Sequence, residues 1–328
     1  MVQLQPARGR RLRVIVRLPF SDDPGALDSS YDTAGVDTSL LDWTQVRRSA
    51  YIIHQRISYR YDGPVRLLRQ RLVVQPRERH GDQRRVSRSV RIVDATPRMV
   101  RAGSDDFGNH VVDIEVPYVA EQVTFISWSV VERRAGPPHL AAASLLRDRR
   151  LLDATALTAP DEDLGDLIAE LRGTGLAGEE LAAAACQRVF EVMSYAHDVT
   201  SVRTTAAEAF AERTGVCQDY AHVLLAVTRG LGLPSRYVSG QLLGVGGSHA
   251  WVEVLVPNGR GHARVLALDP THGRTVGMTY LTIAVGRDYN DIAPVSGTYV
   301  APHAGVLTMS KRVTVMRVES SDDDQIAV

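Results

Sequence analysis

Residues 215–240 read GVCQDYAHVLLAVTRGLGLPSRYVSG, and this stretch decides how the rest of the chain is read. A turn at Gly215-Val216 opens an apolar helix, predicted over 217–232 and closed by glycines, and a strand follows Pro234. Cys217 stands at the start of that helix. There the helix N-terminus favours a thiolate, and unpaired first-turn N–H groups can receive a developing oxyanion. Taken alone, Cys217 reads equally well as a nucleophile or as a small buried side chain. Cys186, inside the Ala-rich run LAAAAC, takes the second reading.

Downstream, Ser248-His249-Ala250-Trp251 begins one strand and Leu268-Asp269-Pro270-Thr271 ends another. Pro257-Asn258-Gly259-Arg260-Gly261 between them reads as a hairpin turn. A three-residue loop, Asn258 to Arg260, sets Pro257 opposite Gly261 and therefore His249 opposite Asp269. One hairpin then delivers an imidazole and a carboxylate to the same sheet face, whereas a slip of one residue would separate them. A nucleophilic thiol needs such a base, and the base needs an orienting group.

Upstream, LAGEELAAAACQRVFEVMSYAH (176–197) and TTAAEAFAERTG (204–215) carry helical signals. With the strands after Pro234, residues 161–328 form an α+β unit. Residues 49–135 instead show period-two alternation in YIIHQRISYRY, RLLRQRLVVQP, VSRSVRIVDA, HVVDIEVPYV and QVTFISWSVVER, broken at Asp62-Gly63-Pro64 and Gly103 to Gly108. Five or six such strands predict a small β-sandwich or barrel. Residues 136–160 read as a linker in which LAAASLLRDRRLL can form a helix. Residues 1–48 read as an extension, with one strand candidate at 12–18 and then a loop or disordered arm.

Of 328 residues, 44% are hydrophobic and 23% charged, a globular balance that excludes a disordered or collagen-like chain. No apolar run is long enough to cross a bilayer, and the first twenty residues lack the apolar core of a secretory leader. Two cysteines cannot build a disulfide framework, so a cytoplasmic protein is expected. The net charge of zero hides a dipole. Residues 1–150 carry 25 Arg and no Lys against 17 acids, and residues 151–328 carry 12 Arg and one Lys against 21 acids. Opposite charge can help two units dock. The arginines of the basic half alternate with apolar residues, as on a solvated sheet face, and no nucleic-acid-binding motif accompanies them, so nucleic acid is not an expected partner.

The other histidines have weaker positions. His222 is about 140° round the helix from Cys217 and is expected to make a core hydrogen bond. His197, His262, His272 and His303 are expected at the surface. Cys217, His222 and His249 match no usual zinc spacing, so no metal and no cofactor is expected.

The blocks GVCQDYAHVLLAVTRGLGLPSRYVSG, SHAWVEV, LDPTHG and AVGRDYNDIAPVSGTY, in this order, resemble the bacterial transglutaminase-like proteins of the transglutaminase/cysteine-protease superfamily. The upstream segments ISYRYDGPV and DDFGNHV resemble the β-rich N-terminal domain that accompanies this core, so that the resemblance spans roughly residues 51–318. It implies a papain/transglutaminase-like α+β core behind a small β-sandwich-like domain. It also implies that Cys217 is the nucleophile, His249 the base and acid, and Asp269 the orienter, with Tyr195 a candidate to complete the oxyanion site. Family members more often show Asn after Asp-Pro-Thr, where this chain has His272. The implied activity is amide-bond chemistry on a peptide or protein substrate, by hydrolysis or by transfer to an amine. A binding module on the same fold is the alternative of another class. The family resemblance further implies a functional link to an ATP-grasp amide ligase.

Overall fold

The computed structural model describes residues 41–245 and 247–320. The strand candidate at 12–18 and the arm that follows it lie outside the described residues. The N-terminal unit contains β1 (Val46–Tyr61), β2 (Val65–Gln75), β3 (Arg79–His80), β4 (Gln83–Val93), β5 (Met99–Ser104), β6 (His110–Val119) and β7 (Gln122–Arg134). Alternation places Tyr51, Ile53, Gln55 and Ile57 of β1 on a buried face. Two sheets enclose a core of Ile57, Leu68, Leu72, Val112, Ile114, Val123 and Phe125, which makes the unit a β-sandwich.

The second unit opens with β8 (Leu140–Ala142), a 3-10 turn at Ala143–Arg147 and α1 (Arg149–Leu152). Next come α2 (Glu162–Gly173), α3 (Gly178–Val192), β9 (Ser194–Tyr195), α4 (Ala206–Glu212), β10 (Thr214–Gly215) and α5 (Cys217–Gly230). The strands β11 (Ser235–Leu242), β12 (His249–Pro257), β13 (His262–Asp269), β14 (Arg274–Thr275) and β15 (Tyr280–Gly286) then form a sheet in the order β14-β13-β12-β11-β15, with β8 on β13. Every residue of α5 from Gln218 to Arg229 is buried, as befits a helix surrounded on all sides. It packs on β11 and β12 and between α2, α3 and α4. The architecture is α+β behind a β-rich N-terminal unit, as expected. The predicted linker, 136–160, contributes a sheet strand and two short helical turns rather than one helix.

The last strands do not stay with the second unit. β16 (Val295–Val300) pairs with β2, and β17 (Gly305–Ser320) pairs along β1, with Gly305 opposite Tyr61 and Val46 opposite Ser320. The sandwich sheets therefore run β17-β1-β7-β4-β3 and β16-β2-β6-β5. Assigning the whole of 161–328 to the catalytic unit is thus corrected: alternation identifies a strand, but it does not say which sheet receives it. The N-terminal boundary also moves. Val46 already belongs to β1 and is buried, and Trp43 packs against the larger core.

Buried polar contacts lock the two units together. The Asn109 side chain donates to the Val285 carbonyl at 2.7 Å and accepts from its N–H at 2.8 Å. Gln83 does the same with Thr282, at 2.7 and 2.9 Å. The Glu253 carboxylate sits 2.6 Å from His80 Nε2 and 2.6 Å from an Arg236 nitrogen, with all three side chains buried. These partners hold Glu253 well below the usual carboxylate range even though burial opposes its ionisation.

Candidate active site

Cys217 is the first residue of α5 and is half-buried. Asp219 fixes the turn ahead of it, accepting from the Val216 N–H at 2.8 Å and from the Thr200 hydroxyl at 2.6 Å. The backbone at Gly215 passes so close that a Cβ there would lie 2.7 Å from the Asp219 Cβ and Oδ2. Glycine before the cysteine is therefore needed for close approach.

The β12–β13 hairpin turns at Gly259, Arg260 and Gly261, one position later than predicted. The Asn258 N–H donates to the His262 carbonyl at 3.1 Å, while Asn258 Oδ1 accepts from the N–H groups of Arg260 and His262. Gly259 and Gly261 supply the left-handed backbone that this loop requires, at φ 71° and 79°. The observed pairs, Val252 with Leu268 and Pro257 with Ala263, extend to set Asp269 beside Trp251 rather than opposite His249. Moving the loop by one position shifts the register by two residues, so His249 and Asp269 keep the same face and meet diagonally.

They do meet: His249 Nε2 lies 2.8 Å from Asp269 Oδ2, and both side chains are buried. Asp269 is the hub of the site. Its Oδ2 also accepts from the Tyr280 hydroxyl at 2.6 Å and lies 2.8 Å from His272 Nδ1, while Oδ1 accepts from the Thr271 N–H at 2.9 Å. Burial disfavours the ionised carboxylate, but these donors outweigh it and bring Asp269 down to about 2. Burial likewise opposes the protonated form of His249, yet hydrogen bonding to Asp269 and Cys217 raises it to about 9. With Nε2 committed to Asp269, Nδ1 is the ring nitrogen left for the thiol. The Cys217 Sγ lies 4.0 Å from the carbonyl oxygen of Ser248, the residue preceding His249.

Tyr195 comes near this site through the short β9–β10 ladder, where it pairs with Gly215, two residues before the cysteine. It is exposed, and its ring centroid is 6.4 Å from that of Tyr220 in the first turn of α5. His222 turns away from the thiol, accepts from the Tyr289 N–H at 3.3 Å and is pushed down to about 4 by burial. His272 is exposed, as expected, but its Nδ1 also reaches Asp269, because three residues of tight turn after the strand bring its ring back over the carboxylate. Tyr280 comes from the start of β15, eleven residues past Asp269, and no local pattern announces it. His249, Asp269 and His272 could be considered as metal ligands, since one donor atom from each lies within 4.8 Å of the others. The two N–O separations of 2.8 Å are hydrogen-bond lengths, and ligands around a tetrahedral ion stand farther apart. Cys186 is buried and its thiol is pushed up to about 12.

A half-exposed thiol at a helix start, beside a buried imidazole held by a carboxylate, defines the class: a cysteine-dependent site on an α+β core. Residues 166–265 match the Transglutaminase-like superfamily and residues 51–132 the Bacterial transglutaminase-like N-terminal region. The chain therefore carries a transglutaminase-like core with its bacterial N-terminal region, a scaffold of cysteine-based catalysis. The core match includes Cys217 and His249 and stops four residues short of Asp269. An uncharacterized protein of Mycobacterium tuberculosis is 28% identical over 273 residues, spanning 75% of this chain and 86% of that protein. Another, from Mycobacterium leprae, is 34% identical over 132 residues, 37% of this chain and 45% of its own. A solved structure of a candidate cysteine protease from Cytophaga hutchinsonii matches with a TM-score of 0.63 at 19% identity, covering 84% of this chain and 93% of that one, and it shares the fold.

Proposed function

We propose that the chain cleaves amide bonds through a Cys217–His249–Asp269 triad and a thioester acyl-enzyme. The observation that carries this reading is the buried 2.8 Å contact between His249 Nε2 and Asp269, with the thiol of Cys217 at a helix N-terminus beside the same ring. In this mechanism the Cys217 thiolate attacks the amide carbonyl. The imidazolium of His249 gives its proton to the departing amine as the C–N bond breaks, leaving a thioester. Neutral His249 then takes a proton from water, which attacks the thioester, releases the acid and frees the thiolate. Asp269 stays ionised throughout and holds the imidazole in the tautomer that both steps need. The Cys217 N–H at the helix start is the first candidate oxyanion donor, and the Tyr195 hydroxyl is the second.

Hydrolysis is favoured because Cys217 is half-exposed, so water reaches the thioester. An amine in place of water would give acyl transfer by the same first half-reaction. The family resemblance supports a peptide amide, including one built by an ATP-grasp ligase, as the substrate, and the sparse cysteine usage supports a cytoplasmic location, where the thiol stays reduced. Incubation with a library of peptide amides, with and without a primary amine, and mass analysis of the products tests the reading. The wild-type chain should release acids and Cys217→Ala should release nothing. Turnover retained in Cys217→Ala would refute the mechanism, and amide products formed in preference to acids would replace hydrolysis by transfer.

A further inference from the structure

Lys311 is the sole lysine of the chain, against 37 arginines. It lies on β17, which is an edge strand of the sandwich, so a side chain of the N-terminal unit reaches the site of the other unit. Along β17 the residues Met309, Lys311, Val313 and Val315 share the more buried face, while Thr308, Ser310 and Arg312 are exposed. The lysine stem is therefore covered by protein and its ammonium group emerges beside the thiol. There the ammonium donates to the Ser248 hydroxyl, and the carbonyl of the same serine is 4.0 Å from Cys217 Sγ. Among the described residues, no carboxylate forms an ion pair with Lys311, and the charge that acts on it is that of Cys217. Arg236 and Arg133 are paired with Glu253 and Asp82, whereas buried Arg229 is held by the Thr158 hydroxyl and the carbonyls of Ser235 and Arg287. Burial brings Lys311 down to about 8, so the group is still mainly cationic at neutral pH.

A half-buried cation with one hydroxyl partner and no carboxylate partner among the described residues, set beside a nucleophilic thiol, is matched to a carboxylate brought by the substrate. We propose that Lys311 and the Ser248 hydroxyl form a carboxylate-binding subsite, so that the preferred acyl donor bears a carboxylate close to the amide attacked by Cys217. The proposal deepens the amide-cleaving reading and rests on it for the role of Cys217. The carboxylate can be a peptide chain end or an acidic side chain.

Alkylation of Cys217 in the full-length protein tests this without knowledge of the substrate. Iodoacetate and iodoacetamide differ in a carboxylate, and the ratio of their labelling rates reads anion recognition at the thiol. This ratio should fall about tenfold in Lys311→Met, the low end for a hydrogen bond to a charged group, and Lys311→Arg should retain most of it. An unchanged ratio, or equal slowing of both reagents, would overturn the subsite, the latter because a merely structural or thiol-activating role slows both alike. Chloroacetyl-glycine and the α-amide of chloroacetyl-aspartate, each against its neutral amide, then separate a chain-end from a side-chain carboxylate. The larger lysine-dependent preference identifies the source, and no preference in either pair would also count against the proposal. If Cys217 labels no faster than Cys186, the catalytic reading fails, yet the reagent ratio at longer exposure still decides the subsite.

Discussion

Replacing Asp269 by asparagine tests the hub of the site while preserving its shape. The carboxylate is fully buried and receives His249, His272 and Tyr280 on one oxygen and the Thr271 N–H on the other. An amide has one acceptor oxygen, so whichever way the substituted side chain faces, its NH2 group meets at least one donor. His249 loses the negative partner that offsets its burial. Its titration midpoint should therefore fall from about 9 to its ordinary value near 6.5 or below. A loss of about 2.5 units is roughly 3–4 kcal/mol of support for the imidazolium, or about three hundredfold in the fraction of thiolate–imidazolium pair. NMR titration of His249 and the rate of Cys217 alkylation at pH 6 measure the two effects separately. A folded Asp269→Asn protein that alkylates within about threefold of wild type would refute the assignment and would require another group to orient His249.

Tyr280→Phe removes the 2.6 Å hydroxyl donor to Asp269 and should slow amide turnover several-fold, about 1 kcal/mol, without changing the melting temperature by more than a few degrees; an unaltered rate would take Tyr280 out of the site. Glu253→Gln leaves the buried Arg236 and His80 without a carboxylate and should cost about 3–5 kcal/mol of stability by denaturant melting. Because Glu253 is held below its ordinary pKa, its contribution is present above the ordinary carboxylate range and is lost as the pH falls, so the variant should also show a flatter acid limb. Chains begun at Leu41 and at Ser49 should differ by several kcal/mol in unfolding free energy, since the shorter one lacks Trp43 and the buried Val46 of β1; equal melts would show that the sandwich does not need them.

Much of this was legible in the sequence because it is local. The apolar run after Cys217 dictates a buried helix, and the Gly-rich turn after Pro257 dictates a hairpin. Hairpin parity alone brings His249 and Asp269 to one face even though the loop sits one residue later than expected. What escaped is non-local. The strands at 295–320 alternate like any others, and only their pairing with β1 and β2 reveals that the chain returns to the sandwich. Tyr280 and Lys311 reach the site from separate strands with no motif between them. His272 was the nearest miss: an Asp-x-x-His turn closes naturally on its own carboxylate, and that spacing could have signalled the contact.

The most direct measurement is brief iodoacetamide treatment of the intact protein at pH 6, followed by mass spectrometry and peptide mapping. An ordinary thiol is almost wholly protonated at that pH and reacts slowly. An activated nucleophile predicts rapid single labelling at Cys217, with Cys186, buried and pushed up to about 12, left untouched. Labelling of Cys217 no faster than that of an unfolded control peptide would contradict the triad and favour a binding module on the same fold.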